Sequence, residues 1–413
     1  MSEWKYFQIR DVADVFDGPH ATPTKTSSGP WFLSISSLID GRLDLRESAH
    51  LSDDDFFKWT RRVTPQEGDV LFSYETRLGA AALMPRGVRA CLGRRMAILR
   101  PRAGVDPQFL LYAFLGSEFQ ETIRRNAVHG ATVERIPLNE LPAWPIRLPG
   151  LAVQRAAARV LGVLDEKASL NIQIAETALQ LMDATFASII GSSATGSTTT
   201  FAELSHQGVL EFGDGYRTKR PELGKPGLPI LRVAEVQDGR VTPSLIDHVS
   251  DSRRGAMGNK VSRVGDVVLT TKGTVGRVSI IPADAPEFVY SPQLCFFRLA
   301  DPSPFSRYFM FAWFRGEEFR RQARGMKSQT DMADYLSLSD IKSLTITVPD
   351  REVERSLSRK LAVLHERVES AYREARSLKA LRNVLLPELT SGELRVEEVE
   401  GESIIDGAEI SVA

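Results

Sequence analysis

The feature that most constrains this chain is that it repeats itself once, at a spacing near 200 residues. Gly29–Leu43 (GPWFLSISSLIDGRL) has a counterpart in Gly227–Val241 (GLPILRVAEVQDGRV). Each reads as a short apolar strand, a small polar step and an Asp-Gly turn. Val63–Pro85 (VTPQEGDVLFSYETRLGAAALMP) is matched by Val261–Pro282 (VSRVGDVVLTTKGTVGRVSIIP). In both, Gly-Asp-Val enters an apolar strand, a polar or basic loop follows, and a second strand ends in Pro. Phe109–Leu141 parallels Tyr308–Ile341, each an aromatic helix, a Gly-containing loop and a return to strand. WPIRLP and LTITVP close the two copies. Such a chain folds as one domain made twice.

After each closing Pro comes a long helical segment, from about Ala152 to Ile190 and from about Glu352 to Leu386. Leu161, Leu164, Ala168, Ala175, Ala178 and Met182 form an apolar stripe at three-and-four spacing in the first. In the second, Leu357, Leu361, Leu364, Val368, Ala371, Ala375, Leu378 and Leu385 form a heptad seam interrupted only by Arg382. Helices of this length span roughly 52–58 Å, more stripe than one small domain covers, so the two are expected to pair. GSSATGSTTT (Gly191–Thr200) reads as a flexible linker, and the segment from residue 393 to 413 as a poorly ordered acidic tail. The expected organisation is a globular domain over 1–150, a long helix over 151–190, a linker over 191–200, a second globular domain over 201–349, a long helix over 350–392, then the tail. The fold class is α+β, with two pseudo-repeated globular α/β domains separated by a pair of long antiparallel coiled-coil helices.

The net charge of −1 argues against a polyanion partner only on average. Between Arg217 and Arg277 there are 12 Lys/Arg and 6 Asp/Glu, whereas Glu393–Ala413 holds 1 basic and 7 acidic residues. A partner responds to the local field, although a solvated surface is the alternative reading of the basic stretch. The two cysteines, Cys91 and Cys295, lie far apart in strand-like surroundings. That disfavours a disulfide framework or zinc site and fits a reducing cytoplasm. No signal peptide or membrane span is expected.

Catalytic signatures are missing too. Gly213 and Gly215 in FGDGYRTKR lack the third Gly of a dinucleotide loop, no phosphate-binding G-x-x-x-x-G-K-[ST] occurs, and His365 sits in HERVE rather than H-E-x-x-H. There is no Asn-Pro-Pro-aromatic tetrapeptide. Asp165-Glu166-Lys167 falls in the long helix and reads as a solvated charge cluster.

The ordered set of segments resembles the specificity subunits of type I restriction–modification systems. FDGPHATPTKTSSGPWFLSISSLIDGRL is similar to the start of that family's target-recognition domain. LPGLAVQRAAARVLGVLDEKASLNIQIAETALQLMDATFASII is similar to its central helix, with Gln-Arg near the start and Leu-Asp-x-Lys mid-way. LKALRNVLLPELTSGELRV is similar to its distal ending. The likeness runs from about Tyr6 to Val396, and the second helix departs from it in lacking Gln-Arg. The resemblance implies a non-catalytic subunit whose two recognition domains each read half of a split double-stranded DNA target. It also implies helices that dock two methyltransferase subunits, with motor–nuclease subunits joining for cleavage. The cofactor, S-adenosylmethionine, would belong to the methyltransferase, which flips and methylates an adenine; this chain would bind none. A specificity protein of another methyltransferase-linked defence system and a coiled-coil scaffold without a DNA role are the alternatives.

Base edges are read by bidentate donors and acceptors on loops, and phosphates by positive charge. Candidates in the first copy are His20, Thr22, Lys25 and Thr26 in a Gly/Pro-rich loop, Tyr74, Arg77, Arg94 and Arg95 around the paired strands, and His129 and Thr132 after the aromatic helix. In the second copy they are Tyr216, Arg217, Lys219, Arg220, Lys272, Thr274, Arg277, Lys327 and Gln329. For any one of them a solvent-facing side chain is the alternative. Unlike residues in corresponding loops suit two unlike half-sites.

Overall fold

Each copy of the repeat is built on the same four-stranded antiparallel sheet in this computed structural model, which describes residues 4–19, 22–129, 133–192, 196–326 and 335–394. In the first copy the strand order is Ala13–Asp17, Met96–Pro101, Val70–Ser73, Ala81–Leu83. In the second it is Leu210–Asp214, Leu294–Leu299, Val267–Thr270, Val278–Ile280. The smaller sheets repeat as well. Thr26–Phe32 lies between antiparallel Ala49–His50 and parallel Ala90–Cys91, as Gly227–Leu231 lies between His248–Ser250 and Val289–Tyr290. The chain divides into two compact units, Met1–Ala168 with Ser377–Ala413, and Ser169–Arg376.

The Gly-Asp-Val motif shows why the copies fold alike. Gly68 and Gly265 take φ of 85° and 88°, a left-handed conformation that costs glycine nothing. The next residue, Asp69 or Asp266, is buried and closes the turn by accepting from the amide of Gln66 (2.8 Å) or Arg263 (2.9 Å). Its carboxylate then takes a two-pronged guanidinium from the neighbouring strand. Arg100 approaches Asp69 at 2.9 and 2.8 Å, and Arg298 approaches Asp266 at 2.8 and 2.9 Å. Desolvating both charges offsets much of the attraction, so the pair specifies strand pairing more than it adds net stability. The Val that follows starts a fully buried strand, VLFS or VVLT.

The aromatic helices Pro107–Leu115 and Arg307–Arg315 cover these sheets, each burying six consecutive residues. Their N-caps, Asp106 and Ser306, are held by the long helices. Gln154 accepts from the Asp106 amide at 2.9 Å and donates to the Pro149 carbonyl at 2.8 Å. Glu354 accepts from the Ser306 amide at 3.1 Å and from the Ser358 hydroxyl.

The long helices run Leu151–Ser192 and Arg351–Ser391, 42 and 41 residues. The second passes through Pro387 and ends at Ser391. In the first unit Ala157, Ala158 and Leu161 share a core with Leu386 and Leu389. In the second, Ala175, Ala178, Met182 and Phe186 share one with Leu357, Leu361 and Val368. In the first unit the segments run antiparallel, as the stripes require, since Asp165 meets Arg382 while Ala157, Ala158 and Leu161 share their core with Leu386 and Leu389. Of the expected seam, Leu161, Leu164, Ala168, Ala175, Ala178, Met182, Leu357, Leu361, Val368 and Ala375 are buried, and Leu364 and Leu378 half-buried. Arg382, the interruption, is buried against Asp165 at 3.1 Å, and Asp165 also accepts from Tyr112 at 2.8 Å. Asp165 is thus a structural anion and not part of a solvated cluster.

The segment expected to be a linker differs. Gly196–Thr200 is a strand paired antiparallel with Thr345–Pro349, matching Lys5–Gln8 on Pro145–Leu148 in the first copy. Its residues are all small and polar, paired through the backbone and through the Thr198 and Thr347 hydroxyls at 3.2 Å, so no hydrophobic alternation announces it. The tail from residue 395 onward lies outside the described residues.

Candidate nucleic-acid interface

Four loops meet at one end of each four-stranded sheet, joined through backbone hydrogen bonds. In the first unit Gly18 N–H donates to Met96 (3.1 Å), Tyr74 N–H to Arg95 (3.0 Å) and Ile136 N–H to Tyr74 (2.9 Å). The second repeats this with Gly215 to Leu294 (3.2 Å), Thr271 to Gln293 (2.9 Å) and Leu336 to Thr271 (2.9 Å). Isolated bridges join Glu75 to Arg135 and Lys272 to Tyr335. The hairpin between the second pair of strands is also the same turn twice: the Gly79 amide donates to the Ser73 carbonyl at 3.1 Å and the Gly276 amide to the Thr270 carbonyl at 3.0 Å. A rigid frame therefore carries different side chains at equivalent positions, Glu75, Thr76 and Arg77 against Lys272, Gly273 and Thr274.

In the first unit Thr22, Lys25 and Thr26 are exposed. Arg94 is exposed with no ion pair among the described residues. Arg95, held at φ 66°, turns back onto Glu75 at 2.9 Å and the Thr76 hydroxyl at 3.1 Å. Arg77 donates to the Ile35 carbonyl at 3.1 Å. Each of these two arginines is oriented by a neighbouring loop. Tyr74 is part of the core and not the loop surface. Burial, aided by the charges of Asp17 and Glu75, pushes its hydroxyl up to about 12.

In the second unit Arg217, Lys219 and Arg220 are exposed and have no carboxylate partner among the described residues. The turn that presents them is fixed by Glu222, which accepts the Lys219 amide at 2.9 Å. Tyr216 packs half-buried against the cluster around Leu228 and Val249, and burial followed by the Glu222 charge raises its pKa. Lys272 and Thr274 are exposed, and Arg277 is half-buried. His20, Thr132, Lys327 and Gln329 lie outside the described residues, and only the backbone of His129 is described.

A basic–aromatic stretch outside the expected set, Lys58-Trp59-Thr60-Arg61-Arg62, also borders these loops. With Asp17, Gly18 and Pro19 it lines a recess of about 340 Å³ beside the first recognition loop. The Trp59 indole N–H has no partner among the described residues, and Arg62 stands 3.8 Å from Asp17. At the corresponding place in the second unit, Lys260 closes on Asp214 and the Gly215 carbonyl, both at 3.0 Å. Interleaved cations and an aromatic are the signal by which such a stretch shows in a sequence.

The ensemble offers cations, hydroxyls and amides on rigid loops, the equipment for phosphate contact and base reading. Among the described residues no His, Cys, Asp or Glu cluster could hold a metal, and no helix is long and apolar enough to cross a membrane. Burial pushes the Cys91 thiol up to about 12 and the Cys295 thiol higher still, so neither is a nucleophile at neutral pH.

No family model matches the chain. It is 20% identical over 427 residues to a Methanocaldococcus jannaschii protein assigned as the type I restriction enzyme MjaX specificity subunit, covering 96% of this chain and 94% of the relative. It is 22% identical over 425 residues to the MjaIX specificity subunit of the same organism, covering 96% and 95%. Among solved structures it is similar to the type I restriction–modification S subunit from M. genitalium, with a TM-score of 0.56 and 16% identity across 94% of this chain and 96% of that one. The duplicated α+β fold with its two long helices is the fold of that S subunit, and the curated relatives along almost the whole chain are specificity subunits.

Proposed function

We propose that this chain is the specificity subunit of a type I restriction–modification complex, a sequence-specific DNA-binding protein without catalytic activity of its own. The observation that carries the reading is the repeated four-loop frame, which presents Glu75, Thr76 and Arg77 in one copy where the other presents Lys272, Gly273 and Thr274. One frame with two sets of side chains reads two different short sequences, and two identical sets would read a palindrome. Each recognition domain addresses one half-site of a double-stranded target, with phosphates held by exposed cations such as Arg217, Lys219 and Arg220 and bases read from the hairpins.

The long helices dock two methyltransferase subunits. These supply S-adenosylmethionine and flip the adenine out of the stack, and motor–nuclease subunits complete the assembly in the cytoplasm. Whole-length similarity to specificity subunits supports this assignment of roles.

The test is co-expression with candidate methyltransferase subunits encoded beside it, followed by genome-wide methylation mapping. A gapped, asymmetric methylated target that appears only when this chain is present is the expected result. A continuous target, or one unchanged when the chain is omitted, refutes the proposal.

A further inference from the structure

At the opposite end of the second sheet from its recognition loops lies a broad open cleft of about 2000 Å³. It opens where Val267–Thr270 begins and Leu294–Leu299 ends, whereas the recognition loops leave from Thr270 and enter at Leu294. Strands of this length separate the two ends by roughly 13–20 Å. Arg263, Arg307, Arg351, Arg355 and Arg359 line the cleft, and all five are exposed. No carboxylate among the described residues pairs with any of them. The arginines outnumber the acidic groups that line the cleft. Asp266 is taken by Arg298, and Glu354 by Ser306 and Ser358; with Asp301 and Asp350, which also line the cleft, three carboxylates remain against the five arginines.

This charge is not part of the repeated frame. The structural equivalents of Arg263, Arg307 and Arg351 in the first copy are Gln66, Pro107 and Leu151, fixed by the shared turn, the shared helix cap and the two helix starts. Only Arg355 and Arg359 have basic counterparts, Arg155 and Arg159. Nor does the charge serve helix stability. Arg351 and Arg355 occupy the opening turns of their helix, where the macrodipole disfavours cations. Arg307 lies across Gly265, close enough that a Cβ there would meet its Nη1. Planar guanidinium groups converging on an open cleft match carboxylates or phosphates. Duplex DNA on the recognition loops would occupy the other end of these strands, which leaves carboxylates.

We propose that this arginine-lined cleft, specific to the second copy, is a docking site for an acidic polypeptide segment of a partner protein. It makes the two copies unequal toward protein partners as the hairpins make them unequal toward DNA. Only the exclusion of DNA rests on the reading of the loops above.

The test uses the full chain in fluorescence anisotropy with two probes, a labelled oligoglutamate peptide and labelled duplex DNA. Three proteins are compared: the parent, the quadruple variant R263Q/R307Q/R351Q/R355Q, and the loop variant R217A/K219A/R220A. The expected result is a loss of about tenfold or more in peptide affinity for the quadruple variant, with duplex affinity unchanged. The exposed single reversal Arg355→Glu should weaken peptide binding in the same direction, which guards against misfolding of the quadruple variant. Peptide affinity equal to the parent's in both cleft variants overturns the proposal. So does displacement of the peptide by duplex DNA, or an equal loss for both probes, since the cleft would then follow nucleic acid. The loop variant decides the DNA face separately: undiminished duplex binding there refutes that reading and leaves the peptide result standing.

Discussion

His365 makes the second unit sensitive to acid by an amount that can be worked out. It is 2% exposed, wedged against the rings of Tyr308 and Phe311 at 5.5 and 5.3 Å, and its Nε2 has no partner among the described residues. Burial, with the charge of Arg307 added, lowers its pKa from 6.5 to about 4. The folded protein therefore holds the imidazole neutral while the unfolded chain takes up a proton below 6.5. The resulting stability is fully present above pH 6.5, is lost as pH falls, and is gone once pH passes the folded value near 4. Over the full window the loss is about 3 kcal/mol, and about 2 kcal/mol of it has gone by pH 5. Glu369, 3.8 Å from Nδ1, acts in the opposite sense because burial raises its pKa. Glu369 touches the imidazole, so the parent and a His365→Leu variant are compared with Glu369→Gln in both, which isolates the imidazole. Denaturant melts at pH 8 and pH 5, read by hydrogen exchange in Leu294–Leu299, should show the parent losing about 2 kcal/mol more than the variant. In thermal melts the difference is about 4–8 °C for a unit of this size. Equal pH slopes for parent and variant would refute the reasoning.

Charge removal at Arg217, Lys219 and Arg220 should weaken DNA binding by the assembled complex and flatten its salt dependence, by a slope of about one for each phosphate no longer neutralised; titrations at several salt concentrations measure it. Arg298→Met leaves Asp266 buried without its cation and should cost about 3–5 kcal/mol, read as faster hydrogen exchange in Val267–Thr270. Arg100→Met should cost less because Arg100 is already 26% exposed in its pair with Asp69, against 8% for Arg298; a larger loss in the first unit would contradict this ordering. The purified chain alone should methylate no DNA with S-adenosylmethionine present, as measured by transfer of a labelled methyl group; robust transfer without a methyltransferase subunit would sink the proposed role.

The duplication was legible because Gly-Asp-Val, the Asp-Gly turn and the aromatic helices rest on local chemistry. A left-handed glycine, a turn-closing carboxylate and an apolar strand must be written side by side wherever they occur. Strand Gly196–Thr200 was not legible because its partner, Thr345–Pro349, lies far along the chain and its own side chains carry no alternation. The loop positions were recognisable as a set, but individual roles were not. Tyr74 looks like a loop residue beside Arg77, yet its ring belongs to the core. Nothing local to Arg95 announces that Glu75, twenty residues earlier, restrains it. The interruption at Arg382 made sense only once Asp165, from the other helix, lay beside it.

The N-caps of the aromatic helices bear on how far the two copies are interchangeable. In one copy the carboxylate belongs to the domain, Asp106, and the neutral partner to the helix, Gln154; in the other the assignment is reversed, with Ser306 on the domain and Glu354 on the helix. Each junction therefore contains one buried or half-buried anion. Shuffling the domains between the two helices breaks that parity. Placing the Asp106 domain on the Glu354 helix brings two carboxylates to one helix N-terminus, and the reverse chimera has none. The repeat is interchangeable in outline but keyed at this joint, so a swap would pass only with residues 154 or 354 carried along with the domain they cap.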